Sequence, residues 1–391
     1  MRASNRNGAA AILTAMAVGG LPGCYGQRQP PALTIERAVA AATRALIAAQ
    51  APDGAWRSET YGAFKDGLAL TPTVLKAVVF APAVEGSEPA RHRGAATLVG
   101  VETGGRPFPV YSAAEAAIVL TRVEVAGAAS ARAAWLAALR SFQLTEELGW
   151  APSDAPYGAW GDALTPARSA DSGRVADADI SSTLFALGAL QIAGAPADDP
   201  AVRKALGFVM RCQNFAEDHQ ADPPFDDGGF FFTPTDPVRN KAGVAGVDHR
   251  GQERYYSYGS ATADGLRALL RCGLAPGHPR VLAARRWLEQ HFSATHNPGT
   301  FAPARASERD ATYFYYAWSL AHAFRALGGR MERGAGRDTA WAELLSRELI
   351  RRQRTDGTWS NHFTASKEDD PLVATPLALG ALALCREFVS R

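Results

Sequence analysis

The chain has 391 residues, 47% hydrophobic and 20% charged, with 37 Gly and 24 Pro, the make-up of a globular protein with a sizeable core. Lys plus Arg number 41 against 39 Asp plus Glu, and setting aside Arg2 and Arg6 leaves 39 of each in residues 24–391. With no basic block and no acidic tail, that balance gives no ground for a nucleic-acid partner.

Residues 1–23 read as an export signal: Arg2 and Arg6 precede the apolar run "AAAILTAMAVGGL", too short for a membrane span. The run ends in "LPGC", residues 21–24, which resembles a bacterial lipobox with Pro at an unusual position; Cys24 is then the lipidated residue. The expectation is an exported, periplasmic or cell-envelope lipoprotein tethered through residues 24–32. An ordinary signal peptide or an uncleaved anchor is the alternative.

From residue 33 onward, two sets of helical patterns alternate. One set carries charge on one face and apolar residues on the other: 33–50, 88–100, 131–144, 200–215, 279–292 and 338–353. The other is apolar nearly all round, as buried helices are: 70–81, 111–123, 179–194, 259–273, 310–324 and 370–388. Six outer and six inner helices predict an all-α fold, an (α/α)6 toroid. Each repeat can bury its apolar face only against its neighbours, so residues 33–391 form one domain, expected to be monomeric. The second outer helix has the weakest pattern. Long Gly- and Pro-rich loops at 145–178, 214–258 and 293–310 each enter the N-terminus of an inner helix, which gathers them over one mouth of the ring.

Cys212, Cys272 and Cys385 are far apart and sit in apolar helical contexts, which predicts buried thiols, with one disulfide as the alternative. Their spacing matches no zinc site, so no metal and no cofactor is expected.

"QAPDGAW" (50–56) and "QRTDGTW" (353–359) share Gln-x-x-Asp-Gly-x-Trp at opposite ends of the chain. Gln143 to Trp150 is a stretched version, and Gln213 with "DDGGFFF" (226–232) a degenerate one. Gly permits a left-handed turn after the helix, Asp bonds turn amides, and Trp packs back on the preceding helix, so the repeat is a staple. It resembles the prenyltransferase and squalene-cyclase repeat of terpenoid cyclases and protein prenyltransferase β-subunits. The segments 255–273 and 297–328 are similar to those of exported bacterial members of that superfamily.

In class II terpene cyclases, the resemblance implies an Asp-x-Asp-Asp motif whose middle acid protonates an alkene. Asp177 and Asp179 match the first two acids, with Asp179 as the proton donor; Ile180 stands where the third acid belongs. Such a donor must be held neutral by burial beside an aromatic wall. The competing reading makes Asp179 the N-cap of the helix that begins at residue 180. The second toroid-like domain that encloses polyprenes in larger members is missing.

Glu115, Asp264 and Tyr313 lie one turn inside the inner helices, with Thr73 and Thr375 at similar depth. Together with Tyr258, Tyr316 and Trp160 they predict a polar-floored pocket with aromatic rims; Lys76 and His322 are expected at its edge. "DDGG" (226–229) and "KEDDP" (367–371) read as turns and a helix start. A prenyltransferase reading fails, because "DPLVATPLALGAL" lacks the expected His and "GSATADG" the expected Cys ligand. The resulting expectation is a toroid that binds an apolar, isoprenoid-type small molecule or an envelope protein. The alternatives are a divergent class II cyclase or isomerase with Asp179 as acid, and a polysaccharide-active enzyme with Glu115 and Asp264 as its carboxylate pair.

Overall fold

A computed structural model describes residues 31–100, 106–169, 175–216, 224–329, 332–333, 337–338 and 340–389. The expected export signal, Cys24 and residues 25–30 of the expected tether lie outside the described residues. The inner helices are α2 (Leu70–Phe80), α4 (Pro109–Val119), α6 (Ile180–Ile192), α8 (Gly259–Arg271), α11 (Tyr313–Ala326) and α13 (Pro371–Val389). They pack in the order α2, α4, α6, α8, α11, α13, and α13 returns to α2, which closes the ring. Around them run α1 (Pro31–Ala48), α3 (Ser87–Ala96), α5 (Ala128–Ser141), α7 (Pro200–Arg211), α9 (Pro279–Gln290) and α12 (Trp341–Arg352). This is the (α/α)6 toroid.

The inner helices form because their side chains are apolar on nearly every face: in α6 every residue from Ile180 to Leu190 is buried. Helix α13 has the length and apolarity of a membrane span, but here it is a ring member packed against α1, α2, α11 and α12. The third expected loop, 293–310, runs into a one-turn helix, α10 (Glu308–Ala311), and α11 restarts at Tyr313. No residue at the start of α11 caps it; Glu368 does so from across the mouth, accepting from Phe314 N–H at 2.9 Å and Tyr315 N–H at 2.8 Å. A small hairpin, β1 (Val244–Val247) with β2 (Glu253–Tyr255), decorates the loop between α7 and α8.

The repeat is a latch used four times. Gln50, Gln143, Gln213 and Gln353 each donate through Nε2 to the carbonyl of the repeat's own glycine (Gly54, Gly158, Gly228, Gly357) at 2.9–3.0 Å. Each also donates to a second outer helix: Ala90, Ala201, Arg280 and Ala38 O, at 2.8–2.9 Å. The bond from Gln353 to Ala38 therefore ties the last repeat to the first. Trp56, Trp160 and Trp359 donate their indole N–H groups to Leu46, Leu139 and Leu349 O. Backbone N–H groups of Trp56, Trp160, Phe230 and Trp359 bond hydroxyls of Thr71, Thr183, Thr262 and Thr375 on the inner helices. The second repeat thus ends at Trp160 and not at Trp150, whose indole instead bonds Ala167 O. Cys212, Cys272 and Cys385 are buried thiols.

Candidate active site

The second latch lays two extended segments side by side. Asp179 N–H donates to Trp160 O at 3.0 Å, an isolated antiparallel bridge. Between Trp160 and Asp162 lies Gly161, where a Cβ would overlap the Asp177 carbonyl oxygen, so only glycine permits this approach. Asp162 N–H then donates to Asp177 Oδ2 at 2.9 Å. The loop between α7 and α8 closes over both segments: Ile180 N–H bonds Phe232 O, and Thr235 Oγ1 bonds Ala176 O, both at 3.0 Å. That loop brings in Arg239, which ion-pairs with Asp177 through Nη1 and with Asp179 through Nη2 at 3.0 Å, while its guanidinium stacks on Phe232. Three carboxylates and one guanidinium therefore share the entrance to α6.

Asp179 has its oxygens fully occupied. Oδ1 accepts Ser182 N–H at 2.7 Å, and Oδ2 accepts the Ser182 hydroxyl and Arg239. It is the N-cap of α6 and a counter-ion to Arg239. Burial pushes its carboxyl up, against the pull of Arg239 and the Ser182 amide.

Asp162 is arranged differently. Its Oδ1 is buried, lacks a hydrogen-bond partner among the described residues, and belongs to a side chain that lines the central cavity. Burial, reinforced by the charges of Asp179 and Asp177, pushes it up to about 8. A carboxyl in that state is neutral at neutral pH and has a proton to give. It is a third carboxyl beside Asp177 and Asp179, brought in from outside the linear Asp-x-Asp stretch.

The cavity, about 1580 Å³, runs from this mouth to the opposite end of the ring. Its upper wall is aromatic: Tyr111 packs edge-on to Phe185 at 4.7 Å, Phe185 lies 5.3 Å from Trp318, and Phe64 lies 5.9 Å from Phe108. Lys367 sits over Phe108 and Tyr61 at the entrance, and both Lys367 and Phe108 hold positive φ. Glu115 and Tyr258 line the cavity. Glu115 accepts from Thr73 and pairs with Lys76 at 2.5 Å, and the Lys76 ammonium lies 5.0 Å from Phe185 and 5.1 Å from Trp318. Both Lys76 and His322 face the cavity interior.

The remaining expected pocket residues are placed elsewhere. Asp264 sits behind the wall, fully buried, accepting from Ser181 (2.7 Å), Tyr315 (2.8 Å) and Ser319. Because Glu115 and Asp264 are each saturated by their own partners, they do not form a free carboxylate pair. Tyr313 and Tyr316 point outward, their hydroxyls donating to Ala294 and Ser293 O in the loop after α9. Trp160 is a latch residue, as described above. Asp226 and Asp227 are turn acids, bonded to Arg254 and to the Trp287 indole. Two side chains of the acid cluster, Asp162 and Arg239, have no counterpart among the expected site residues. Among the described residues, no group of three or more His, Cys, Asp or Glu side chains has the arrangement of a metal site.

No protein-family model and no curated protein matches the chain. Among solved structures, the type II terpene cyclase MstE from Scytonema, in complex with merosterolic acid A, superposes with a TM-score of 0.54 at 12% identity, over 91% of this chain and 98% of that one. The chain has the fold of a terpenoid-cyclase toroid. A second MstE structure, in complex with geranylgeranyl dihydroxybenzoate, superposes with a TM-score of 0.53 at 12% identity, over 91% and 97% of the two chains. A glycosidase in complex with glucose reaches a TM-score of 0.48 at 10% identity, over 92% and 98%. At such identities the likeness is one of architecture, and chemistry has to be argued from the toroid's own residues.

Proposed function

We propose that this toroid is an exported, lipid-anchored enzyme of terpene cyclase or isomerase type, with Asp162 as its proton donor and an apolar, isoprenoid-type substrate. The carrying observation is the unpartnered, buried Oδ1 of Asp162, held beside two carboxylates on a side chain that lines an aromatic cavity. Asp162 takes the acid's role expected of Asp179, because Asp179 is spent on Ser182 and Arg239.

In the proposed step an alkene π pair takes the Asp162 proton, leaving a carboxylate and a carbocation at short range. Tyr111 and Phe185 line the cavity beside this mouth, and their π electrons stabilise the cation. A second alkene attacks the cation and passes the charge to its own far carbon, and the last cation loses a proton to the carboxylate, so atoms and charge balance without a co-reactant. Burial and the charges of Asp179 and Asp177 disfavour ionisation of resting Asp162, against the pull of Arg239, and keep its proton in place.

Size supports this reading. The cavity is above the usual range for small-molecule sites and suits a long apolar chain. MstE, described with a geranylgeranyl dihydroxybenzoate substrate, is covered over 97% of its length, so a toroid of this extent supports such a substrate. Exposed Val238 lines the entrance, and exposed Leu164 and Phe363 lie on mouth loops, an apolar approach for such a substrate.

The test is turnover of polyprenes, squalene and geranylgeranylated phenols in D2O, with products read by mass spectrometry. One deuterium at the initiating carbon, absent in Asp162→Asn, is the expected result. A product profile unchanged in Asp162→Asn overturns the assignment.

A further inference from the structure

At mid-depth the cavity lining holds three cations, Lys76, Arg267 and Arg271, and one carboxylate, Glu115, with Asp264 behind the wall. Lys76 is paired with Glu115 at 2.5 Å, and Arg267 reaches Asp264 at 3.7 Å and the Ser319 hydroxyl at 3.0 Å. Arg271 is the surplus. Among the described residues its hydrogen bond is to the Leu184 carbonyl at 2.6 Å, and no carboxylate lies within ion-pair distance. Burial pulls its guanidinium down to about 9, so it is still charged at neutral pH. The side chain is half-buried and lines the cavity, so a cation without a counter-ion is open there to an anionic partner.

The position is also built for it. Gly188 of α6 lines the cavity opposite, and a Cβ there would come within 2.6 Å of Arg271 Nη1, so the missing side chain is what lets the guanidinium lie against α6. Trp318 is ringed by bases: Arg267 at 4.5 Å, Lys76 at 5.1 Å and His322 at 4.8 Å. Burial and the charges of Arg267, Lys76, Arg271 and Arg325 hold the His322 imidazole well below its ordinary value, the mark of a local positive potential.

We propose that Arg271, with Arg267 and Lys76 around Trp318, seats the anionic head group, carboxylate or phosphate monoester, of an amphiphilic ligand whose apolar chain runs up the aromatic wall to Asp162. Helical rise puts Gly188 about 13 Å below the Asp179 cap along α6, a span of several isoprene units. The proposal deepens the reading of the cavity as an isoprenoid site, but it concerns binding and does not depend on Asp162 chemistry.

The probes are geranylgeranoic acid, geranylgeranyl phosphate and geranylgeraniol, titrated against the intact protein by Trp fluorescence. At least one anion is expected to bind about tenfold or more tighter than the alcohol, as a charge-assisted hydrogen bond provides. Which anion shows the preference tells carboxylate from phosphate. Arg271→Gln should lose the preference, Arg271→Lys should keep part of it, and Asp162→Asn should keep all of it while losing turnover. His322, followed by NMR, should titrate at higher pH in the presence of the preferred anion. Equal affinity for all three probes, or a preference that survives Arg271→Gln, overturns the head-group subsite. Loss of turnover in Asp162→Asn with equal probe affinities would leave the catalytic reading standing alone.

Discussion

The backbone N–H of Asp162 donates to Asp177 Oδ2 at 2.9 Å, and this bond joins an acid from the end of one latch to the acids that open α6. The contact exists only because Gly161 has no side chain to meet the Asp177 carbonyl. Gly161→Ala must therefore push the two segments apart. The expected cost is about 3 kcal/mol of unfolding free energy in urea, together with loss of activity. A variant of wild-type stability would show that the segments can separate without strain.

Asp162→Asn is expected to fold and to lose about a hundredfold or more in turnover, the usual share of a general acid. Its pH dependence is specific. Folding favours the protonated carboxyl, whose pKa is about 8 in the folded chain and about 4 in an unfolded one. The folded state then binds a proton that the unfolded state has released, so stability is full below pH about 4 and declines as pH rises through about 8. Asp162→Asn lacks this slope and should gain on wild type between pH 5 and pH 8 in thermal melts. Wild-type activity should fall on the alkaline side as Asp162 ionises.

The ring was legible in the sequence because burial is written into composition: helices apolar all round lie inside, and helices with one charged face lie outside. Even the weakly patterned second outer helix forms, as α3. Asp177 and Asp179 were legible as a local motif. Asp162 was not, because "LGW" at residues 148–150 mimics the end of a repeat and hides the true end at Trp160. With the repeats aligned on their latch bonds, the second position after the anchor is Asp162, Phe232 and Asn361. The first two line the cavity, and Asn361 bonds Glu368 at its edge. Arg239 was illegible for another reason: its loop has no periodicity, and its place is set by the Ile180–Phe232 backbone bond. Tyr313 and Tyr316 misled because a polar residue in an apolar helix points equally well to a neighbouring loop carbonyl.

The latch predicts a graded series. Gln353→Leu removes two bonds, to Gly357 and to Ala38, at the seam that closes the ring. Two buried carbonyls then lose their donor, at a cost of about 2–3 kcal/mol. Trp359→Phe deletes only the indole bond to Leu349 O, and should cost about 1 kcal/mol. Phe230 already fills that place in the third repeat, so the donor is dispensable where the ring packs. Equal losses in the two variants, measured by denaturant unfolding, would contradict the view that Gln is the principal tie.

Arg239→Gln tests the balance of charge at the mouth. It leaves Asp177 and Asp179 facing one another without their shared cation. Arg239 and Asp177 each keep about a quarter of their side-chain surface exposed, so water softens the loss to about 2–3 kcal/mol at pH 7. The sign with pH follows from which form suffers. Without the guanidinium the buried Asp179 carboxylate loses the charge that opposes its desolvation and its pKa rises further, so the deficit is largest above that value and shrinks as pH falls and Asp179 takes up a proton. Melting curves of wild type and variant should therefore draw together from pH 8 towards pH 4. Added negative repulsion would also hold the Asp162 proton more tightly, which moves the alkaline limb of any residual activity to higher pH. A gap that stays constant with pH would mean that Arg239 serves the mouth through its stacking on Phe232 and not through its charge.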